Sequence, residues 1–363
     1  MGLKPSETVQ RFLISSTSHF VAEYEAEGIL ITHAFPGSRS NAGFLRLREG
    51  PLSRSAYMLN FVVPEVPRIA GTVLPDYEGT AERICSLLSL LYGKRFDSHG
   101  CVQAHGNFWL PQLEQFGSVC NPALPQNDHQ PRSDIAVPLD FRHVARIAPM
   151  LMDGAENENL RTALGAAAKF YHQALQNVEQ DPEVGYLHLI TAGEILANVH
   201  HPQSEDLLDD HIRAILDQVR EVIPEGERAA RTLASQLRQI KRRFRSTIED
   251  LIDDQFFWAS RSAPQARRLN PESLPARVSA AYDIRSRYVH TGLSFGHWVA
   301  PRGDRPDEVQ LGQPSVKDRE LSKLLAAAPT YIGLERVIRY CLVRFAELHE
   351  LFLREQDAEA TGE

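Results

Sequence analysis

The sequence lacks the features that mark membrane-spanning and secreted proteins. It contains no apolar run of about 18 residues, so we expect no membrane span. Its first residues carry no apolar segment typical of a signal peptide, and the expected location is the cytoplasm. Cysteine is scarce, and its spacing shows no CxxC pair, which predicts reduced thiols rather than a disulfide framework. The cysteines are Cys85, Cys101, Cys120 and Cys341.

The common nucleotide-binding and hydrolase motifs are also missing. No Walker loop, GxGxxG, GxSxG or HExxH occurs among the 363 residues. Histidines and cysteines between residues 99 and 129 have no standard zinc spacing, so we predict no metal and no cofactor. The net charge of −8 argues against extensive coating of nucleic acid, although it leaves room for a local basic groove.

The chain length and its patterns predict two domains, at residues 1–150 and 155–355. The first has strand patterns at 28–32, 44–48 and 56–63, and a helix at 81–91. We expect Thr80 to cap this helix and Gly93 to end it, which makes the domain α+β. A proline-rich stretch at 121–138 reads as a loop or linker, and 141–152 as a short helix.

The second half is predicted to be an all-α bundle. Helical patterns are expected near 157–179, 183–200, 205–222, 225–250, 273–291 and 329–355. Residues 262–276 and 292–315 are rich in proline and glycine and separate the last three helices.

The helix that ends at Gly292 carries an arginine in an apolar stripe. The predicted stripe consists of Val278, Ala281, Tyr282, Tyr288 and Val289, with Arg285 in its middle. Arg287 lies on the opposite face, one turn after Asp283, where an exposed ion pair is expected. His290 lies in the last turn, where the helix dipole favours its protonated form.

A second helix offers a partner for Arg285. The pattern at 183–200 is apolar on nearly every face, but it includes Glu194, with Asn198 one turn further on the same side. A buried carboxylate needs a partner because an isolated buried charge is costly. We therefore predict that Glu194 pairs with Arg285, either as a purely structural bridge or as a support that orients the guanidinium toward a phosphate. Asn198 and Ser286 are the other candidate supporting residues.

Arg285 and His290 together could cleave a phosphodiester. The histidine would move a proton to or from a ribose or leaving oxygen, while the arginine would stabilise charge on the phosphate. RNA supplies its own nucleophile, the 2′-hydroxyl. The two residues are five apart and so about 140° apart around a helix, which calls for a loosened last turn, the reach of arginine or a second subunit.

The segment from Arg285 to His290 resembles the R-x4-6-H motif of HEPN domains. The surrounding Tyr282-Asp283-Ile284-Arg285-Ser286 and Val289-His290-Thr291-Gly292 resemble the Apea-like branch of that superfamily. The resemblance covers residues 155–355 and implies a HEPN-like helical bundle that forms a homodimer with one composite cleft. It also implies a metal-independent endoribonuclease of a prokaryotic antiviral-defence, toxin or abortive-infection type, with Arg285 and His290 as catalytic residues.

A non-catalytic HEPN-type binding or dimerisation module is the alternative. Ser286 stands where many active members have Asn, Asp or His, and the chain is acidic. A second match to the motif, Arg344 to His349, is interpreted as surface charge in the middle of the last helix. Under either interpretation residues 1–150 are expected to sense or regulate, with a phage-derived or regulatory ligand.

The strongest basic cluster lies in the helix predicted at 225–250. Arg238, Arg242 and Arg245 share one face and are the candidate RNA-binding residues. The alternative is an ordinary solvated face, balanced by acidic residues from 249 to 254.

Overall fold

The computed structural model gives the chain a mixed α+β fold. It describes residues 4, 6–26, 28–34, 54–66, 71, 73–113, 120–152, 157–200, 217–218, 220, 240–260, 265–302 and 306–354. No helix within these ranges is long and apolar enough to span a membrane.

Within these ranges, six strands form one antiparallel sheet in the order β2-β3-β4-β1-β5-β6. The strands are β1 (Glu7–Ser16), β2 (Tyr24–Ala26), β3 (Ile29–His33), β4 (Ser55–Pro64), β5 (Phe96–Ala104) and β6 (Asn107–Phe108). The predicted strands at 28–32 and 56–63 correspond to β3 and β4. The strand predicted at 44–48 lies outside the described residues, and the sequence patterns did not predict β1, β2, β5 or β6.

Helix α1 (Glu78–Tyr92) packs on the sheet and ends at Gly93, as predicted. Gly93 has a φ of 62°, and a Cβ there would lie 2.6 Å from Nε of Arg339, so glycine is needed for both conformation and space. The prediction that Thr80 caps α1 is wrong. The helix begins at Glu78, three residues before the predicted start, and the Asp76 carboxylate accepts the Glu78 amide at 2.9 Å.

In the described part of the chain, nine further helices follow a 3₁₀ helix at Phe141–Ile147. They are α2 (Ala148–Leu151), α3 (Glu158–Asn177), α4 (Pro182–Val199), α5 (Ile240–Leu251), α6 (Asp254–Trp258), α7 (Leu274–Thr291), α8 (Gly296–Val299), α9 (Arg319–Ala327) and α10 (Tyr331–Leu348). The helices predicted near 157–179, 183–200, 273–291 and 329–355 match α3, α4, α7 and α10. The helix predicted at 205–222 and the start of the one at 225–250 lie almost wholly outside the described residues.

Buried ion pairs connect α10 to the proline-rich loop at 121–138. Arg132 in that loop makes two hydrogen bonds to Glu335, at 3.0 and 2.6 Å, and both side chains are almost wholly buried. Arg339 is fully buried, donating to Asp134 at 2.9 Å and to the carbonyl of Leu91 at 2.6 Å. The proline-rich stretch is therefore a loop, as predicted, and it contributes charged groups to the interior.

Candidate functional site

Helix α7 ends where the sequence predicts. Gly292 has a φ of 68°, and its amide donates to the carbonyl of Tyr288 at 2.8 Å. This is the left-handed glycine that closes many helices. The final turn therefore places His290 at the helix C-terminus, as expected.

The buried face of α7 differs in part from the predicted stripe. Val278 and Ala281 are buried as expected, and Ile284 continues their face at helical spacing. Val289 is 57% exposed, so its assignment to the core is wrong. Because Ile284 occupies the centre of the buried face, Arg285 lies at its margin, with 28% of its side chain exposed.

Arg285 contacts Glu194 of α4, as predicted. Its Nη2 lies 3.0 Å from Oε2 of Glu194. The Glu194 side chain is 15% exposed, so the pair stands at the edge of the core rather than inside it. A guanidinium carries five N–H donors, and Glu194 engages one nitrogen of Arg285, which leaves donors for an incoming anion.

Tyr282 is a third member of this group, which the sequence assigned only to the apolar stripe. The Arg285 guanidinium lies 5.8 Å from its ring centroid. Partial burial, followed by the charge of Glu194, raises the pKa of Tyr282. Tyr282 and Arg285 therefore approach Glu194 from successive turns of α7.

Close helix packing brings Glu194 to this position. A Cβ on the neighbouring Gly193 would lie 2.4 Å from the Phe244 ring, so glycine lets α4 and α5 approach closely. The Phe244 ring in turn packs 5.7 Å from that of Tyr282, centroid to centroid. Three helices thus converge on Glu194.

The predicted ion pair between Asp283 and Arg287 is not present. Asp283 instead accepts from Lys241 of α5 at 2.7 Å, and Arg287 pairs with Asp318 at the start of α9. Both residues are half-buried, so each reaches a neighbouring helix instead of lying along an exposed face. These contacts fix α7 between α5 and α9.

Two predicted supporting residues do not join the Arg285 group. Asn198 is exposed at the end of α4, and Ser286 is half-buried on α7. Neither makes a side-chain hydrogen bond within the described residues. Their supporting roles remain predictions.

His290 is exposed and has neither a hydrogen bond nor an ion pair within the described residues. Arg285 points to α4, so one chain does not bring the two candidate catalytic residues into contact. This agrees with the angular separation expected for residues five apart on a helix.

Glu183 holds the segment that follows His290, and sequence reasoning missed it. Its Oε1 accepts from the hydroxyl of Ser294 at 2.6 Å and the amide of Gly296 at 2.7 Å, and from the amide of Phe295. Burial alone would raise the pKa of Glu183, but these hydrogen bonds outweigh it and lower the pKa. The partners are more than 100 residues apart, so no local pattern reveals the contact.

The structure describes two of the three arginines on the predicted basic face. Arg245 is exposed and lies 3.5 Å from Glu249, Arg242 is half-buried, and Arg238 lies outside the described residues. The ion pair between Arg245 and Glu249 agrees with the alternative of a solvated, balanced face.

The second motif match occupies a different setting from the one predicted. His349 follows the last residue of α10, so its placement in the middle of a helix is wrong. Glu350 adopts the left-handed conformation, with a φ of 56°, although no glycine is present. Arg344 is 34% exposed and lies 3.4 Å from Asp253.

His99, the first residue of the histidine and cysteine group at 99–129, is held by two hydrogen bonds. His99 Nε2 lies 2.8 Å from Oγ of Ser15, and its Nδ1 lies 2.9 Å from the carbonyl oxygen of Gln112. In the described part of the chain, no three His, Cys, Asp or Glu side chains are grouped to hold a metal ion.

Comparisons of this chain with protein-family models, curated proteins and solved structures yield no match.

Proposed function

We propose that residues 155–355 form a HEPN-like bundle that cleaves RNA without a metal, in a prokaryotic defence protein. The observation that carries this proposal is the contact of Arg285 with Glu194 at 3.0 Å. It holds the arginine in place while 28% of the side chain stays accessible. A fixed, accessible guanidinium is suited to stabilise charge that grows on phosphate oxygens. Residues 1–150 would sense the activating ligand.

In this mechanism the ribose 2′-oxygen attacks the adjacent phosphorus, and the bond from phosphorus to the 5′-oxygen breaks. His290 acts as general base toward the 2′-hydroxyl or as general acid toward the leaving oxygen. The product is a 2′,3′-cyclic phosphate. Exposure at the end of α7 gives His290 the access that such a proton transfer requires.

A homodimer would bring together the two catalytic residues, Arg285 and His290, that a single chain keeps apart. His290 faces solvent and Arg285 faces α4, so a second copy would bring another His290 and Arg285 to one cleft. Two apolar side chains flank the histidine: Val289 is 57% exposed and Leu293 is 42% exposed. A self-complementary contact centred on this end of α7 would bury them.

The alternative function is a non-catalytic binding or dimerisation module. The ion pairs around the motif favour it. Lys241 pairs with Asp283 at 2.7 Å and Arg245 with Glu249 at 3.5 Å, so these carboxylates compete with RNA phosphates for the nearby cations. Under this interpretation Arg285 and Glu194 serve only to join α7 to α4.

Two measurements on the purified chain test the proposal. Light scattering after size exclusion should give a dimer. Incubation with single-stranded RNA in EDTA should yield fragments with 2′,3′-cyclic phosphate ends. A dimer that leaves RNA intact would support the binding module, and cleavage that requires a divalent cation would contradict the metal-independent mechanism.

A further inference from the structure

A cavity of about 800 Å³ lies between α1, α3 and β5. None of its lining residues belongs to α4, α5 or α7, so it is separate from the Arg285 group. Five of them repeat at intervals of three or four residues and therefore share one face of α3. They are Arg161, Gly165, Lys169, His172 and Gln176.

Gly165 keeps the cavity open at the centre of this face. A Cβ built on Gly165 meets no atom within 4 Å, so close packing does not explain the glycine. Glycine in a helix interior is destabilising relative to alanine. The absent side chain leaves space for a ligand. Gly79 of α1 also lines the cavity and likewise has open space in front of it.

His172 supplies a hydrogen-bond donor to this space. Its Nδ1 lies 2.9 Å from Oγ of Ser89, a fully buried residue. The Ser89 hydroxyl has no other acceptor in the described part of the chain, so it donates to Nδ1. The neutral ring then carries its hydrogen on Nε2. Among the described residues this nitrogen has no partner, and it is open to the cavity that His172 lines.

Gln176 adds a fixed acceptor. Its amide nitrogen donates to Oδ1 of Asp97 at 2.8 Å, which orients the amide group. Asp97 is itself held by Arg95 at 2.9 Å and by Arg54. No residue that the structure describes donates to the carbonyl oxygen of Gln176, and this oxygen is accessible, so it can accept from a ligand hydroxyl.

Two cations face the cavity without a carboxylate partner among the described residues. Lys169 is exposed and forms no ion pair, and Arg83 donates to the neutral carbonyl of Met150 at 2.8 Å. The lining contains no aromatic side chain except the imidazole of His172, and it contains no valine, leucine or isoleucine. Three cations, Arg83, Arg161 and Lys169, outnumber the two carboxylates of the lining, Glu82 and Glu158. The cavity therefore offers donors, acceptors and a net positive charge, and it offers little to stack on a nucleobase.

We propose that this cavity binds a small hydroxylated anion of the sugar phosphate or sugar acid class. The anionic group lies near Lys169 and Arg83. His172 donates to a ligand oxygen, and Gln176 accepts from a ligand hydroxyl. This binding does not depend on the nuclease activity proposed above.

Isothermal titration of the full chain with three probes tests the proposal: glucose 6-phosphate, gluconate and neutral glucose. At least one of the two anions should bind about tenfold or more tightly than glucose, because only the anions form charge-assisted hydrogen bonds. The anion that binds identifies the source as a phosphate monoester or a carboxylate. Failure of both anions to bind better than glucose overturns the proposal.

Matched variants locate the binding. Gly165→Leu fills the cavity and should abolish it, whereas Asn159→Leu, at an exposed position of the same helix outside the lining, should retain it. If Gly165→Leu fails to fold, Lys169→Gln replaces it. That variant should weaken anion binding about tenfold, and Lys323→Gln on α9 should not. Unchanged affinity in both cavity variants contradicts the assignment.

Discussion

Arg285 and Glu194 join α7 to α4 across 3.0 Å, and both remain partly accessible to solvent. A fully buried pair would serve stability alone, and a fully exposed pair would not hold the guanidinium in place. The intermediate position gives an arginine that is oriented and still able to contact an anion. This is the relationship on which the proposed catalysis rests.

Replacing Arg285 by alanine should reduce the free energy of unfolding by about 1 kcal/mol, because solvent can hydrate the Glu194 carboxylate that remains. Urea unfolding of the parent and the variant measures this difference. Arg245→Ala, at a more exposed pair, should cost less. A loss of 3–5 kcal/mol, the range for breaking a fully buried pair, would contradict the partial exposure of Arg285.

Glu335→Gln should reduce the free energy of unfolding far more than Arg285→Ala does. The Glu335 side chain is 1% exposed and accepts from Arg132 and from the Tyr171 hydroxyl at 2.5 Å. The substitution removes the nearer countercharge of the buried Arg132 and leaves only Asp134, at 3.9 Å, so we expect a cost of about 3 kcal/mol. Glu249→Gln is the control, because Glu249 is 37% exposed, and it should change the unfolding free energy by less than about 1 kcal/mol. Equal effects of the two substitutions would show that the Arg132 pair is hydrated.

Glu183→Ala should release the segment after His290. Hydrogen exchange at the amides of Phe295 and Gly296 should accelerate, while the amide of His200, bonded to Leu196 at 2.9 Å, serves as the internal control. The pKa of Glu183 is lower in the folded chain than its ordinary value of 4.5. Its stabilisation is therefore complete above about pH 4.5 and is lost as the pH falls through the folded pKa. Protection that is unchanged in the variant would exclude this role.

His172 should make stability depend on pH. Burial lowers its pKa from 6.5 to about 4, so the unfolded chain binds this proton more readily. The stabilisation is complete above pH 6.5 and is lost as the pH falls toward 4, by about 3 kcal/mol at most. The difference in the free energy of unfolding between the parent and His172→Gln, measured at several pH values, isolates this effect. If this difference does not change with pH, the pKa of His172 is the same in the folded and the unfolded chain.

Some parts of this structure follow from the sequence by local rules. Gly292 ends a helix because a left-handed residue was needed there, and Glu194 needed a partner because its helix is apolar. Strand β1 could not be recognised in the same way. Every residue from Phe12 to Ser16 is buried, including the two serines, so the alternation that marks a half-exposed strand is absent.

Contacts between distant segments account for the rest of what was not predicted. Glu183 reaches Ser294, and Ser89 reaches His172, through side chains that no helical or strand period relates. The role of Gly165 becomes evident only when α1 is placed beside α3. From the sequence alone, a glycine inside a helix indicates only that the helix is less stable there. Such features depend on how the helices pack, which single-sequence patterns do not specify.

The most direct test of the central claim compares His290→Ala with His297→Ala in RNA cleavage. Both histidines are exposed and lie on either side of the segment that Glu183 holds, so either substitution should leave the fold intact. We expect His290→Ala to lower the cleavage rate by about 10²–10⁴-fold, the range for a general acid or base, and His297→Ala to cleave like the parent. Equal cleavage rates for the parent and both variants would contradict the claim.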